Sequence, residues 1–477
     1  MSLFNELDKL ISSQKNPQVD PNEFFTSLGA PSVSIAVLDH GEISARCYST
    51  IGDGTNTRFQ ACSISKPVTA LAVMRLVDQG RLKLEDKIAR FLPQIIVDNL
   101  GPAALVQEIT IEHILSHTAG LTTSGFIGYS DADHPSPTEV VLGRHPVNSM
   151  PVQAVGVPGR QWSYSGGGYS LLQIALENLT SQPFTELMDE LVLRPLEMND
   201  SNYGTPGDGV KLAPSYWTGV TPSPHWHYFP ELAAAGLWTT PSDLCKVLHA
   251  VQRSLRGSDS SFLKTGTTKR MLTEVESNLM GLGWVAPKDP GTFFGHTGSN
   301  DPGYRCIAMG IADLVGQKKD FLNGECGIVV MTNSSYGTLP AYTALQTINY
   351  LKGWRQGAII SQSTWFVTPM KLHNHETRGD WKDWQGRWVE KSDEWTIEAD
   401  SDGQPQARWR EKQPNRLLPA AICSKVFAEG ESLDLVLDGV GAMMRLGWRD
   451  GERSIDYMDG LTYDVTKLSR AKSPVPS

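Results

Sequence analysis

The sequence predicts an α/β (α+β) fold: an antiparallel sheet flanked by helices, with an inserted all-helical region, followed by a small C-terminal antiparallel β-barrel. Three observations lead there. Strand-like runs stand early (Ser32 to Leu38, Ile43 to Ser49) and again late (Tyr304 to Ile311, Gly327 to Thr332), with helical periodicity between them. One sheet built from distant segments must therefore enclose an inserted helical region. Val68 to Val77 is apolar nearly all round and stops at Gly80, which is the pattern of a buried central helix ended by a glycine. Beyond Ser361 the texture changes to short alternating segments broken by glycine, with tryptophans at 381, 384, 388, 395, 409 and 448. Those rings read as the core of a small barrel or sandwich. The division falls near residue 365, giving units 1–365 and 366–477.

In chain order, Leu3, Phe4, Leu7, Leu10 and Ile11 recur at helical spacing and predict a short amphipathic helix. Asp39-His40-Gly41 is a turn signal between the first two strands, which makes them a hairpin. From Leu82 to Asn202, helical stretches alternate with proline and glycine breaks, and Ile109 to Leu121 and Leu171 to Leu193 are two of them. Ala341 to Leu351 reads as a helix after the last strand of the sheet.

Composition narrows the function. The 477 residues carry 42 basic and 52 acidic side chains, a formal net charge of −10. Such a surface disfavours a role built on neutralising phosphate, so no nucleic acid and no membrane partner is expected. The opening MSLFNELDKLISSQKN has no basic segment leading into an apolar run, and no stretch reaches the roughly 18 apolar residues of a membrane span. The expectation is a soluble, cytoplasmic chain. Six scattered cysteines (47, 62, 245, 306, 326, 423) without a C-x-x-C pair fit free thiols, not a disulfide framework or a metal site.

The strongest local signal is Ala61-Cys62-Ser63-Ile64-Ser65-Lys66-Pro67. Proline is tolerated only near the first turn of a helix, so Pro67 places Ser63 at the N-terminal end of the buried helix. Lys66, three residues on, then stands on the same face within reach of the Ser63 oxygen. A helix N-terminus offers unpaired N–H groups that favour a developing oxyanion, and a nearby lysine can serve as proton acceptor. About a hundred residues on comes Gly159-Arg160-Gln161-Trp162-Ser163-Tyr164-Ser165-Gly166-Gly167-Gly168-Tyr169, whose glycines read as a turn presenting Tyr164 to a cleft. Phe294-Gly295-His296-Thr297-Gly298-Ser299 comes later still, just ahead of a late strand.

At these three places the sequence resembles the serine β-lactamase and penicillin-binding-protein superfamily, in particular its branch of class C β-lactamases, DD-peptidases, D-aminopeptidases and esterases. Ile114 to Leu121, Arg194 to Met198 and Gly236 to Leu244 are similar to framework segments of that branch and occur in its order. The resemblance covers roughly Pro31 to Leu351. It implies Ser63 as the acylated nucleophile, Lys66 as its proton-shuttling partner, and Tyr164 as the group that works with the lysine and then protonates the leaving group. His296-Thr297-Gly298 matches the element that is Lys-Thr-Gly in many relatives and His-Thr-Gly in some peptidases. The implied oxyanion hole is the backbone N–H of Ser63 with that of Ser299. Where many relatives carry Tyr-x-Asn, this chain has Tyr164-Ser165-Gly166, so the amide that grips an acylamino carbonyl is missing. That disfavours an efficient β-lactamase or strict cell-wall peptidase and favours a wider acyl pocket. The C-terminal segment, with Gly379-Asp380-Trp381 and Gly386-Arg387-Trp388, resembles the lipocalin-like barrel appended in D-aminopeptidases and some macrocyclising thioesterases.

Several features are set aside. Lys264-Thr265-Gly266 is a literal Lys-Thr-Gly, but Thr267 to Leu272 directly after it reads as a helix where a strand is required. His225 and His227, at i, i+2, read as surface or pocket wall, and His113 and His117, at i, i+4 on an expected helix, as buried hydrogen-bonding groups. Cys62 reads as packing. The glycines at 166–168 lack the spacing of a phosphate loop.

The expected function is cleavage of ester or amide bonds in a small molecule or peptide through an acyl-enzyme on Ser63, with no cofactor and no metal. Two alternatives stand beside it: acyl transfer or peptide cyclisation on a carrier-tethered substrate in natural-product assembly, and a non-catalytic ligand sensor on the same fold.

Overall fold

The computed structural model describes residues 2–12, 20–217, 221–257, 261–275, 280–286, 292–312, 325–352, 354, 381–390, 393–399, 401, 405–409, 415–419, 433–437, 442–449, 452–458 and 465–470. Helix α1 (Leu3–Ser12) buries Phe4, Leu7 and Ile11 on one stripe. Helix α2 (Pro21–Ser27) starts at Asp20, whose carboxylate accepts the N–H of Asn22 and of Glu23. Strands β1 (Ser32–Asp39) and β2 (Glu42–Ser49) form the expected hairpin. Its two loop residues, His40 and Gly41, both take positive φ (51° and 84°), which matches the right-handed twist of the flanking strands.

The next segments are β3 (Phe59–Gln60), helix α3 (Ser65–Asp78), β4 (Asn202–Tyr203), β5 (Leu237–Thr239), β6 (Thr292–Asn300), β7 (Tyr304–Ala312) and β8 (Cys326–Thr332). The main sheet is antiparallel with order β2-β1-β8-β7-β6, so β6 is an edge strand, and β3-β5-β4 make a small second sheet. Period-two alternation sends Val33, Ile35, Val37, Ile328 and Val330 into one core, with α1, α2 and the helix Thr338–Leu351. Ala36, Leu38, Val329 and Met331 face the other core, with α3 and the helix Pro241–Arg256. Helix α3 is buried on nearly all sides, as its unbroken apolar run requires, and stops before Gly80, which takes φ 69°.

Two helical expectations are corrected. Ile109 to Leu121 is helical only over Ile111–Leu115, because His117 and Gly120 take left-handed φ of 59° and 68°. His113 and His117 therefore share no helix face. Leu171 to Leu193 is broken at Ser181, also left-handed, into the helix Gly166–Thr180, a short helix Phe184–Met188 and one wide turn, Asp189–Leu193.

The C-terminal strands are β9 (Gly386–Glu390), β10 (Asp393–Ala399), β11 (Pro405–Trp409), β12 (Asn415–Pro419), β13 (Leu433–Leu437), β14 (Ala442–Arg449), β15 (Glu452–Met458) and β16 (Val465–Arg470). Each pairs antiparallel with the next, and β16 returns to β9 through Ser469–Val389 and Arg470–Trp388, closing an eight-stranded barrel. Trp384, Trp388 and Trp395 are buried, so these rings are core. The expected division at residue 365, and Cys423, lie outside the described residues.

Candidate active site

Ser63 lies in a single 3-10 turn, Cys62–Ile64, that leads directly into α3. Pro67 is the third residue of α3, inside the first turn where its missing N–H costs nothing. The turn is pinned on both sides: the Ala61 N–H bonds Leu237 O at 2.8 Å, and the Ser65 hydroxyl donates to Cys62 O at 2.6 Å while accepting the Leu237 N–H at 3.1 Å. Cys62 is held left-handed at φ 52°. The N–H of Ser63 precedes the first bond of the turn, Ile64 N–H to Ala61 O, so the turn leaves it unused.

Lys66 is buried, and its ammonium donates to Ser63 Oγ at 3.0 Å and to Ala234 O at 2.9 Å. The Ala234 carbonyl belongs to the short turn Leu232–Ala235, which is bolted down from several directions. Thr69 donates to Ala233 O, Gln173 donates to Pro230 O and accepts the Ala233 N–H, and Asn300 donates to Ala235 O. Glu231 opens that turn. It is buried, its Oε2 has no partner among the described residues, and burial pushes its carboxyl up to about 8.

His296, Thr297, Gly298 and Ser299 occupy β6, so the expected strand is confirmed and includes the motif. Gly298 is where β6 meets the nucleophile turn: a Cβ there would lie 2.5 Å from Ala61 O, 2.5 Å from Cys306 Sγ and 2.9 Å from Cys62 Cβ. Gly295 exchanges both backbone bonds with Val285, on the side away from β7. Strand alternation turns the N–H of Ser299 to the same free edge. His296 is buried and directs Nδ1 at Thr297 O, which makes it a neutral Nδ1–H tautomer with Nε2 left as acceptor. Burial, and secondarily the Lys66 charge, lower it to about 4.

The Tyr164 ring centroid is 5.0 Å from Lys66 Nζ, 4.2 Å from the His117 ring and 6.2 Å from the His296 ring. The structure thus brings Ser63, Lys66, Tyr164 and His296 together from four separate segments. The glycines at 166–168 are corrected from a turn to the first turn of the helix Gly166–Thr180, which is capped by the Ser165 hydroxyl. Gly166 is tightly packed: a Cβ would sit 3.0 Å from the Phe126 ring and 3.2 Å from Ser124 O, so a neighbour would have to give way.

Lys264 to Gly266 lies at the head of the helix Thr265–Met271, tied to Asp78, and takes no part. His227 bonds Ile127 O and, with Trp226, walls a small cavity beside Gln60 and Trp238. No group of three His, Cys, Asp or Glu suited to a metal ion occurs among the described residues. Cys47, Cys62, Cys245, Cys306 and Cys326 form no disulfide, and the Cys62 thiol donates to Gln60 O at 3.3 Å while the Cys306 thiol donates to Ala61 O at 2.9 Å. Sequence reasoning missed the Ala234 carbonyl, because a backbone acceptor carries no side-chain signal. It also missed Gln60 and Asn300, which bond to each other at 2.7 Å just behind the site, although they directly flank two of the motifs.

A buried helix with Ser-x-x-Lys at its head, set against the edge strand of a five-stranded antiparallel sheet, defines the β-lactamase and penicillin-binding-protein-like class of folds. The chain belongs to the family described as Beta-lactamase, whose model matches residues 17–350. It is 26% identical over 295 residues to the D-alanyl-D-alanine-carboxypeptidase/endopeptidase AmpH of Escherichia coli K12, covering 56% of this chain and 73% of that protein. It is 31% identical over 186 residues to the esterase EstB of Burkholderia gladioli, covering 35% of this chain and 45% of the esterase. The chain is therefore related to serine hydrolases. The crystal structure of SurE superposes with a TM-score of 0.56 at 18% identity over 98% of this chain and 100% of that one, a likeness of fold.

Proposed function

We propose that the protein is a serine hydrolase that opens ester or amide bonds of a small molecule or peptide through an acyl-enzyme on Ser63. The observation that carries this reading is the Lys66 ammonium, 3.0 Å from Ser63 Oγ and 5.0 Å from the centre of the Tyr164 ring. In the proposed cycle Lys66 and Tyr164 relay the Ser63 proton as Oγ attacks the substrate carbonyl carbon. The oxyanion is met by the N–H groups of Ser63 and Ser299, and an oxyanion donor of this kind contributes about 3 to 4 kcal/mol. Collapse breaks the bond to the leaving group, which departs with a proton from Tyr164, and water then releases the acyl unit as a carboxylic acid.

His296 is neutral in this reading, so it offers an acceptor nitrogen and no charge. Gly166, packed against Phe126, carries no acylamino-gripping amide, which supports substrates that do not depend on one. The eight-stranded meander supports reading residues 366–477 as a lipocalin-like unit.

Intact-protein mass spectrometry tests the nucleophile. Wild type incubated with a fluorophosphonate or a p-nitrophenyl ester gains one covalent adduct and releases nitrophenol, whereas Ser63→Ala does neither. Equal labelling of both proteins, or none of either, overturns the assignment. Adding an amine to the ester reaction separates hydrolysis from acyl transfer by its product.

A further inference from the structure

We propose that His117 is a positioning residue for Tyr164: one neutral imidazole and its own backbone carbonyl grip the chain on both sides of the tyrosine while the ring lies against the phenol. The inference rests on the proposed role of Tyr164 in proton transfer. Three contacts make the grip. The Ser163 N–H bonds His117 O at 2.8 Å, the Ser165 N–H bonds His117 Nδ1 at 3.1 Å, and the two rings lie 4.2 Å apart at 30°. The residues on either side of Tyr164 are therefore tied to one residue. The tyrosine ring has the same residue beneath it.

The backbone of His117 explains how one residue makes all three contacts. Its left-handed φ of 59° ends the helical turn begun at Ile111 and brings carbonyl and side chain to the same neighbour. Few non-glycine residues adopt that conformation without cost, and histidine is among those enriched there. The bond at Nδ1 requires a lone pair, which fixes the neutral Nε2–H tautomer. Burial, then the nearby Lys66 and His296, oppose a second proton. His117 Nε2 is buried with no partner among the described residues. An unpaired buried donor is costly, and a purely apolar ring would fill the same space without that cost. The imidazole is accounted for by its acceptor, aimed at the backbone beside Tyr164.

The contacts extend beyond one pair. The Tyr169 ring also lies near, tilted and 5.4 Å from the His117 ring, and its hydroxyl donates to Leu115 O. Lys66 Nζ stands 5.0 Å from the centre of the Tyr164 ring and 5.9 Å from that of Tyr169. A shift of the Tyr164 ring thus changes its distance to the ammonium that contacts Ser63. Misplacement of a reacting group by about 1 Å can cost on the order of 100-fold in rate.

Two substitutions divide the grip. His117→Phe keeps a ring and loses the acceptor. His117→Asn keeps an acceptor close to the Nδ1 position, tolerates positive φ, and loses the ring. With a p-nitrophenyl ester, His117→Phe is expected to lower kcat about 100-fold with KM within about threefold, and His117→Asn to recover about tenfold of that. In a Tyr164→Phe background neither substitution should lower kcat further, because the effect passes through Tyr164. Equal losses in both backgrounds, or thermal destabilisation with kcat unchanged, would overturn the proposal.

A second readout does not depend on turnover. With 13C-labelled tyrosine, and Tyr164 assigned by its loss in Tyr164→Phe, wild type should show one narrow Tyr164 ring signal that broadens or splits in His117→Phe. If Ser63→Ala and wild type prove equally inactive, the reading of the reaction fails, and this spectrum alone decides the grip. An unchanged Tyr164 signal in His117→Phe overturns it.

Discussion

Lys66 Nζ bridges Ser63 Oγ and the Ala234 carbonyl, at 3.0 and 2.9 Å, so the cation that faces the nucleophile is steered by a backbone oxygen 168 residues away in sequence. The carbonyl sets the direction of the side chain, and the side chain sets the hydroxyl.

Lys66→Met nearly preserves the buried volume and removes the proton carrier. Acylation by a p-nitrophenyl ester should fall about 1000-fold, within the range usual for loss of a general acid or base. The cost in stability should be small, about 1 to 3 kcal/mol for leaving the Ala234 carbonyl unpaired. Lys66→Arg should not rescue the rate, because a planar guanidinium cannot occupy the same point between two oxygens. Rapid-mixing nitrophenol release and denaturant unfolding measure the two effects separately. A rate within tenfold of wild type would remove Lys66 from the proton path.

Gly298→Ala tests the close approach of β6 to the nucleophile turn. The added methyl meets the Ala61 carbonyl and the Cys306 sulfur at 2.5 Å, and both belong to buried, well-packed segments. Relief requires β6 to move outward, and overpacking of this sort costs about 1 to 3 kcal/mol. The Ser299 N–H moves with the strand, so the rate should fall more than the stability would suggest. A variant that loses stability but keeps its kcat would show that the Ser299 N–H contributes nothing to the oxyanion.

His296 gives a pH-dependent stability of definite sign. Its folded value of about 4 lies below the ordinary 6.5, so the unfolded chain binds the proton more readily. Above about pH 6.5 both states are neutral and nothing is gained or lost. As pH falls from 6.5 towards 4 stability drops, and His117, shifted the same way by burial, adds to the fall. His296→Gln should flatten this limb by at most ~3 kcal/mol near pH 4. Chemical denaturation of both proteins between about pH 4 and 8 measures it, and parallel curves would refute the neutral buried imidazole.

The sheet strands and α3 were legible because their signals are local: short β-prone apolar runs in β1, β7 and β8, a longer apolar run in α3, and Pro67 to fix its start. Ser63, Lys66, Tyr164 and His296 were legible as motifs. What the sequence hid was conformational. A left-handed His117 ends a helix that periodicity would continue to Leu121, and no residue type from Ile114 to Ala119 announces the reversal. The glycines after Tyr164 read as a turn, yet they open a helix, because their lack of side chains serves packing against Phe126 and Val152 and not chain reversal. Glu231 was invisible for a related reason: nothing in Pro230-Glu231-Leu232 shows that the turn it opens is buried against α3 and β6.

Glu231 carries the opposite pH signature from His296, and this separates the two. Its carboxyl is raised by burial to about 8 from an ordinary 4.5, and its Oε2 has no partner among the described residues to offset a charge. Tyr129, which lies close enough to feel a Glu231 charge, is itself pushed up, first by burial, and offers no positive charge to offset one. The folded protein therefore holds the proton that the unfolded chain gives up. Stability from this group is complete below about pH 4.5 and is lost as pH rises through about 8. Glu231→Gln preserves shape and cannot ionise, so it should match wild type near pH 4.5 and exceed it increasingly at higher pH, by at most ~5 kcal/mol. Because Glu231 opens the turn whose Ala234 carbonyl holds Lys66, the same substitution should extend the alkaline limb of the kcat profile. Unfolding free energies measured across about pH 4 to 9 decide the first point. A variant less stable than wild type at every pH would mean that the carboxyl is ionised and paired in the folded protein.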